Sequence, residues 1–250
     1  MTQLPSAQSP IATHRFAGID ALRGFAVAQM IVYHFIYDLN FFGWLRLAMT
    51  REQPWVGWRT AIVSQFLFLV GLSLVLRYAF KPAWSDFWRR WLQIAGAAAL
   101  VSLGSWFVFR DRFIFFGILH YIVVALILAR LLVPLGRLNI LLGIAALAAG
   151  LLFKDAVFNT TALTWLGFAT RKPATEDYVP IFPWIGVTLL GVGLGAIWQR
   201  TQFAVAPALQ ALNTAPPRLL ILLGTWALTV YLVHQPILLS LLWLVRKLSG

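Results

Sequence analysis

The sequence contains no cysteine, which excludes disulfides, thiolate metal sites and cysteine nucleophiles. Charge is scarce as well. Asp, Glu, Lys and Arg make up 11% of the 250 residues, whereas a soluble domain carries roughly a quarter. Acidic side chains are the rarest, eight against 20 Lys and Arg, for a formal net charge of +12. Those bases are scattered between apolar runs rather than gathered on one patch. They read as helix ends beside anionic lipid, and nucleic acid is not an expected partner. Residues 1–18 are polar and lack the apolar core of a signal peptide, so the first span is expected to stay attached.

What is present is apolar. Hydrophobic residues account for 60% of the chain and the mean hydropathy is +0.80. They fall in runs of about 20, the length that crosses a bilayer's hydrocarbon core. The pattern predicts an all-α, polytopic transmembrane helical bundle of about seven spans. We place these at Ala21–Phe42, Trp55–Phe80, Trp88–Phe109, Phe113–Pro134, Leu138–Phe153, Val179–Gln199 and Leu219–Leu248, the last with an expected kink at Pro236. No linker is long enough to divide them, so residues 1–250 read as one integral-membrane domain. Trp44, Trp55, Trp58, Trp84, Trp88, Trp184, Trp198 and Trp243 lie near span ends, where amphipathic rings prefer the interface. Lys and Arg divide evenly between the two sides. The cluster Arg77, Lys81, Arg89 and Arg90 after the second span leans towards a cytoplasmic N-terminus.

Ionisable groups inside a span are costly, from about 2.5 kcal/mol upward, and need a reason. The first span, with the residue that leads into it, holds four: Asp20, Arg23, His34 and Asp38. Steps of three and four place them on one helix face with Val27 and Met30. From Arg23 to His34 is roughly 16 Å along the axis. His34 and Asp38 are an i, i+4 pair, so the carboxylate is expected to fix one imidazole nitrogen and leave the other as a base. A contact that only joins helices is the plainer alternative. His120, beside Tyr121, and His234, with Tyr231 before it and Gln235 after it, also fall inside spans. They either line a cavity with His34 or pack against neighbouring backbone. No carboxylate stands at ligand spacing from either, so no metal is expected. Ser73 reads as a close-packing residue, and Gly191-Val192-Gly193-Leu194-Gly195 as a helix contact rather than a phosphate loop. The bases Arg77, Lys81, Arg89 and Arg90 suit the phosphates of a cytosolic ligand, or a stop-transfer cluster.

Five short blocks share an order with a known family. They are Ile19-Asp20-Ala21-Leu22-Arg23-Gly24 with Met30, His34 and Tyr37-Asp38-Leu39; Phe66-Leu67-Phe68-Leu69-Val70-Gly71-Leu72-Ser73; Phe116-Gly117-Ile118-Leu119-His120; Phe182-Pro183-Trp184-Ile185-Gly186; and Tyr231-Leu232-Val233-His234-Gln235-Pro236. Together they resemble the heparan-alpha-glucosaminide N-acetyltransferase catalytic-domain family, and its short bacterial members most closely, over residues 15 to 240. The resemblance implies an acyltransferase of the bacterial inner membrane. It would move an acyl group, usually acetyl, from cytosolic acyl-CoA to a sugar or similar acceptor on the far side. Acetyl-CoA is then the acyl donor, and the lipid bilayer and an unidentified glycoconjugate are the partners; self-association into a homo-oligomer is left open. Asp20, Arg23, Arg77, Lys81, Arg89 and Arg90 would hold the CoA, and His34 with Asp38 would activate the acceptor. His120, Tyr121, Tyr231, His234 and Gln235 would line the cavity. The stretch Phe41–Trp58 has no histidine, and Trp226 and Ala227 stand where the family carries polar residues. An acyl-histidine intermediate is therefore not expected at that loop, and direct transfer is favoured. A small-solute transporter or flippase is the competing reading, since it too uses a polar stripe and intramembrane histidines; a non-catalytic scaffold is the third.

Overall fold

Glycine decides where the first and last helices of this chain meet. A Cβ on Gly24 would stand 1.8 Å from the Leu220 carbonyl oxygen, and one on Gly224 would stand 1.8 Å from that of Asp20. Two helix backbones therefore touch with no side chain between them, a small-residue contact of the kind that packs membrane bundles. The computed structural model describes residues 16–79, 84–202, 204 and 214–249. Nine helices are seen among the described residues: α1 (Ala17–Phe41), α2 (Gln53–Ala79), α3 (Trp84–Phe109), α4 (Ile118–Leu132), α5 (Leu138–Leu152), the single turn α6 (Thr161–Thr164), α7 (Ile181–Arg200), α8 (Arg218–Thr225) and α9 (Ala227–Ser249). The one β feature among the described residues is an isolated parallel bridge, Phe116 to Tyr178.

The same device sets the other half of the bundle. Gly71 of α2 abuts the Thr188 backbone of α7; one turn apart on α7, Gly191 meets Phe68 and Leu72 and Gly195 meets Leu72 and Val75, so α2 and α7 run parallel. Gly143 and Gly150 of α5 press on Leu190 and Pro183 of α7 in the opposite sense. Between these pairs Leu67, Tyr121, Ala125, Ile185 and Leu189 form an apolar core. A second core gathers Val27, Met30, Tyr33, Met49 and Ile62 under α1. Large apolar side chains such as Leu100, Phe107, Leu131, Leu151 and Leu241 point outward, as they do in a protein whose surroundings are lipid tails.

Among the described residues six helices are long and apolar enough to cross a membrane. The remaining expected span, Leu138–Phe153, is present as α5, an apolar helix of 15 residues, roughly 22 Å long. The last expected span differs from the sequence reading. Its interruption lies at Trp226 (φ −98°, ψ 18°), between α8 and α9, while α9 runs on through Pro236. The cause lies 201 residues away in sequence: the Gly224 carbonyl accepts from Arg23 Nη1 at 3.4 Å, and a side chain drawn into the helix ladder bends it. Lys81 and positions 1–15 of the expected polar N-terminal segment lie outside the described residues.

Candidate functional site

The face anticipated on α1 is real and turns inward, with Asp20, Val27, Met30 and Asp38 all buried. At its N-terminal end Arg23 is the centre of a three-helix tie. Its Nη1 donates to Asp20 Oδ1 at 2.7 Å and its Nη2 to Ser73 Oγ of α2 at 2.9 Å, in addition to Gly224 O of α8. Ser73 thus has a polar task that its reading as a packing residue missed. Arg77 and Arg90 lie exposed at the facing ends of α2 and α3. Arg90 is within electrostatic reach of both Arg77 and Arg23. Three guanidinium groups so close repel one another, and an anion between them relieves that repulsion. Arg89 is exposed on the same turn of α3.

Halfway up the face stands an amide pair, Gln29 Nε2 donating to Gln65 Oε1 at 3.0 Å, with Trp58 Nε1 donating to Gln29 Oε1 at 3.2 Å. Beyond it the two intramembrane histidines of α1 and α9 meet. His34 Nδ1 and His234 Nε2 are 2.6 Å apart. The ring planes differ by 11° and the centroids are 4.9 Å apart, so the bonded nitrogens lie between the ring centres in an edge-to-edge contact.

The partners assign the tautomers. His234 Nδ1 faces the Tyr231 carbonyl at 2.7 Å and the Val230 carbonyl at 3.2 Å. A carbonyl only accepts, so Nδ1 carries the hydrogen and His234 Nε2 is a lone pair. In the neutral pair that lone pair accepts from His34 Nδ1–H, and His34 Nε2 is left bare. The bond to one imidazole nitrogen of His34 that the sequence assigned to Asp38 is made by His234 instead. Asp38 does not orient His34: its Oδ1 accepts from Gln235 Nε2 at 2.7 Å. The carboxylate is 1% exposed. Its Oδ2 and the Gln235 Oε1 are buried without a hydrogen-bond partner among the described residues.

His120 and Tyr121 sit elsewhere. His120 Nε2 donates to Ser102 Oγ at 2.9 Å, since that hydroxyl spends its own hydrogen on Ile114 O; its Nδ1 accepts from Gly117 N at 3.3 Å. Every polar atom of the ring is thereby satisfied in the corner between α3 and α4, and the packing alternative describes it. Tyr121 is fully buried against Thr188 of α7, the hydroxyls 2.7 Å apart. Neither reaches the His34–His234 pair through these bonds. Among the described residues no group of three or more His, Cys, Asp or Glu gathers to hold a metal.

The segment leading into α7 meets Tyr37 and Tyr231, each three residues from a histidine, and its acids went unremarked as site residues in the sequence. Tyr37 of α1 donates to Glu176 Oε2 at 3.3 Å, and Glu176 Oε1 pairs with Arg112 Nε at 2.9 Å. Asp177 Oδ2 accepts from Ile118 N at 2.8 Å, capping α4. Tyr231 presents its hydroxyl to the same carboxyl. Enclosure pushes the Asp177 carboxyl above the usual carboxylate range, opposed by the Ile118 N–H, Lys172, Arg59 and Tyr231. The Glu176-Asp177 doublet just before an apolar run was the available signal.

Fold and site together define a multi-pass membrane protein with a hydrogen-bonded histidine pair inside its bundle and a basic cluster at one end of the same helix. The catalytic family described as heparan-alpha-glucosaminide N-acetyltransferase matches residues 15–236, and the chain belongs to that family. No curated protein and no solved structure gives a match.

Proposed function

We propose that this protein transfers an acyl group, acetyl in the first instance, from acyl-CoA at its N-terminal end to a hydroxyl or amine acceptor that approaches from the other side. The observation that carries the reading is the bare Nε2 of His34, prepared by His234 and set roughly 16 Å along α1 from the basic mouth. Membership of an acetyltransferase family supports it. The setting is a bacterial inner membrane with the N-terminus in the cytoplasm, which puts the mouth on the side where acyl-CoA is found.

The donor supplies a thioester already activated for acyl transfer. Arg77 and Arg90, with Arg23 behind them, meet its phosphates. His34 Nε2 takes the proton from the acceptor as its oxygen or nitrogen attacks the thioester carbonyl. The imidazolium formed on His34 keeps its Nδ1–H on His234 Nε2, and His234 in turn is held by the Tyr231 carbonyl. When the carbon–sulfur bond breaks, His34 returns the proton to the leaving thiolate, so free CoA and acylated acceptor leave with no net proton change. Asp38 Oδ2 and Gln235 Oε1 offer two bare acceptor atoms in the same layer, suited to neighbouring hydroxyls of a sugar.

The test is thiol release from acetyl-CoA by the purified, detergent-solubilised chain against a panel of amino sugars and sugar alcohols, with His34→Ala alongside. Acceptor-dependent thiol release abolished in His34→Ala is the expected result. Release that is equal in both proteins removes His34 from the chemistry, and no binding or turnover with any acyl-CoA removes the acyltransferase reading itself.

A further inference from the structure

Two hollows meet at the first turn of α7, away from the histidines. One is an apolar groove of about 470 Å³ between α4, α5 and α7, lined by residues such as Leu128, Leu132, Ala145, Ala149, Ile185 and Leu189. The other is a pocket of about 220 Å³ under the segment between α6 and α7, where Lys154, Thr170, Arg171, Lys172 and Tyr178 face one another with no acidic residue in the lining. Phe182 lines both. One wall is therefore shared by a greasy trough and a cationic cup.

Depth sorts the two. The groove is bounded by membrane-spanning helices, whereas Lys154 follows the last turn of α5, and Arg171 and Lys172 belong to the loop beyond it. Phe153, Phe158, Phe168 and Phe182 pack ring against ring at that level. The cup accordingly sits where headgroups sit, and basic pockets between spans at that depth hold anionic headgroups. Lys154 gives one hydrogen to the Gly167 carbonyl at 2.7 Å and has two left; Arg171 and Lys172 are exposed. These are the donors a phosphodiester oxygen accepts from.

We infer that this paired hollow binds one anionic phospholipid of the far leaflet, its phosphate in the Lys154–Arg171–Lys172 cup and an acyl chain along the α4–α5–α7 groove. A free phosphate has no use for the groove, and a neutral lipid has none for three bases. The inference does not depend on acyl transfer.

The experiment is a thermal shift of the full chain in detergent, titrated separately with phosphatidylglycerol, phosphatidylcholine and inorganic phosphate. Phosphatidylglycerol is expected to raise the melting temperature saturably, phosphatidylcholine to bind more weakly, and phosphate alone to do nothing. Arg171→Gln with Lys172→Gln should weaken phosphatidylglycerol by at least about tenfold, and Arg171→Gln alone, which spares the attraction between Lys172 and Asp177, should weaken it in part while leaving the lipid-free melting temperature in place. Ala145→Phe, which fills the groove from an exposed position, should weaken it independently. Equal binding of the two lipids, or no effect of the double substitution, overturns the headgroup site. A shift from inorganic phosphate as large as that from phosphatidylglycerol, untouched by Ala145→Phe, overturns the lipid as occupant.

Discussion

His34 Nδ1 and His234 Nε2 lie 2.6 Å apart although 200 residues separate them, and the same offset joins Gly24 to Gly224 where α1 and α8 touch. The backbone contact thus sets the register in which two parallel helices bring their histidines level. His34→Ala should cost the acyl-transfer turnover about 10² to 10⁴-fold, the usual worth of a general base. His234→Ala should cost roughly tenfold, the value of one hydrogen bond, because it positions His34 rather than meeting the acceptor. His234→Gln, whose side-chain oxygen can accept from His34 Nδ1–H, should recover part of that loss. Turnover and KM for acyl-CoA measured on all three check this; a wholly inert His234→Gln with intact folding would point to a role beyond positioning.

The glycine contact makes a sharper prediction about stability. Gly224→Ala puts a methyl group on the Asp20 carbonyl oxygen, whereas a Cβ on Gly104 meets nothing within 4 Å. Overpacking of a tight contact typically costs about 1–3 kcal/mol or more. Gly224→Ala should therefore lower the detergent melting temperature markedly and disturb the His34–His234 register, while Gly104→Ala should leave both unchanged. Equal melting temperatures for the two variants would mean that α8 can move away from α1 without loss.

The spans, the inward face of α1 and the place of His34 and His234 inside the bundle were legible in the sequence because they depend on local periodicity and on the cost of polar groups in lipid. The pairing was not. Asp38 is the nearest ionisable neighbour of His34 along its own helix, and an i, i+4 rule favours it, but the Gly24–Gly224 crossing brings His234 opposite instead and gives Asp38 to Gln235. His120 was drawn in for the same reason, as an intramembrane histidine, and turned out to be satisfied by Ser102 and Gly117 at a helix corner. The break at Trp226 also escaped a local reading, because it comes from Arg23, a side chain far away in sequence.

Asp177 gives a test by pH. Its carboxyl is held above the ordinary value of 3.8 in the folded protein, with burial the largest cause. The folded state therefore keeps its proton longer than the unfolded one. Stability from this group is fully present below about pH 4 and is lost as pH rises through the raised value. Asp177→Asn stays neutral and can still accept from the Ile118 N–H, so it removes that dependence. Melting curves from about pH 4 to pH 7 should fall more steeply for the unmodified protein than for Asp177→Asn. Parallel curves would mean that Lys172, Arg59 and Tyr231 together cancel the burial.

The basic mouth separates charge from structure. Arg23 is spent on Asp20, Ser73 and Gly224 and ties three helices, so Arg23→Ala should lower the melting temperature as well as any CoA affinity. Arg77 and Arg90 are exposed and close to one another, so replacing both by Ala relieves repulsion and should leave the fold intact or slightly more stable. A charge-assisted hydrogen bond contributes about 1.5–3 kcal/mol, and exposure discounts that. The double variant should therefore raise the KM for acyl-CoA at least about tenfold with turnover at saturation little changed. Because exposed charges are screened within about 3 Å at 1 M salt, the difference between the double variant and the unmodified protein should shrink as salt is added. A KM that stays put at low salt would remove CoA phosphates from this mouth, and a KM that rises equally at all salt concentrations would mean that the arginines act by packing rather than by charge.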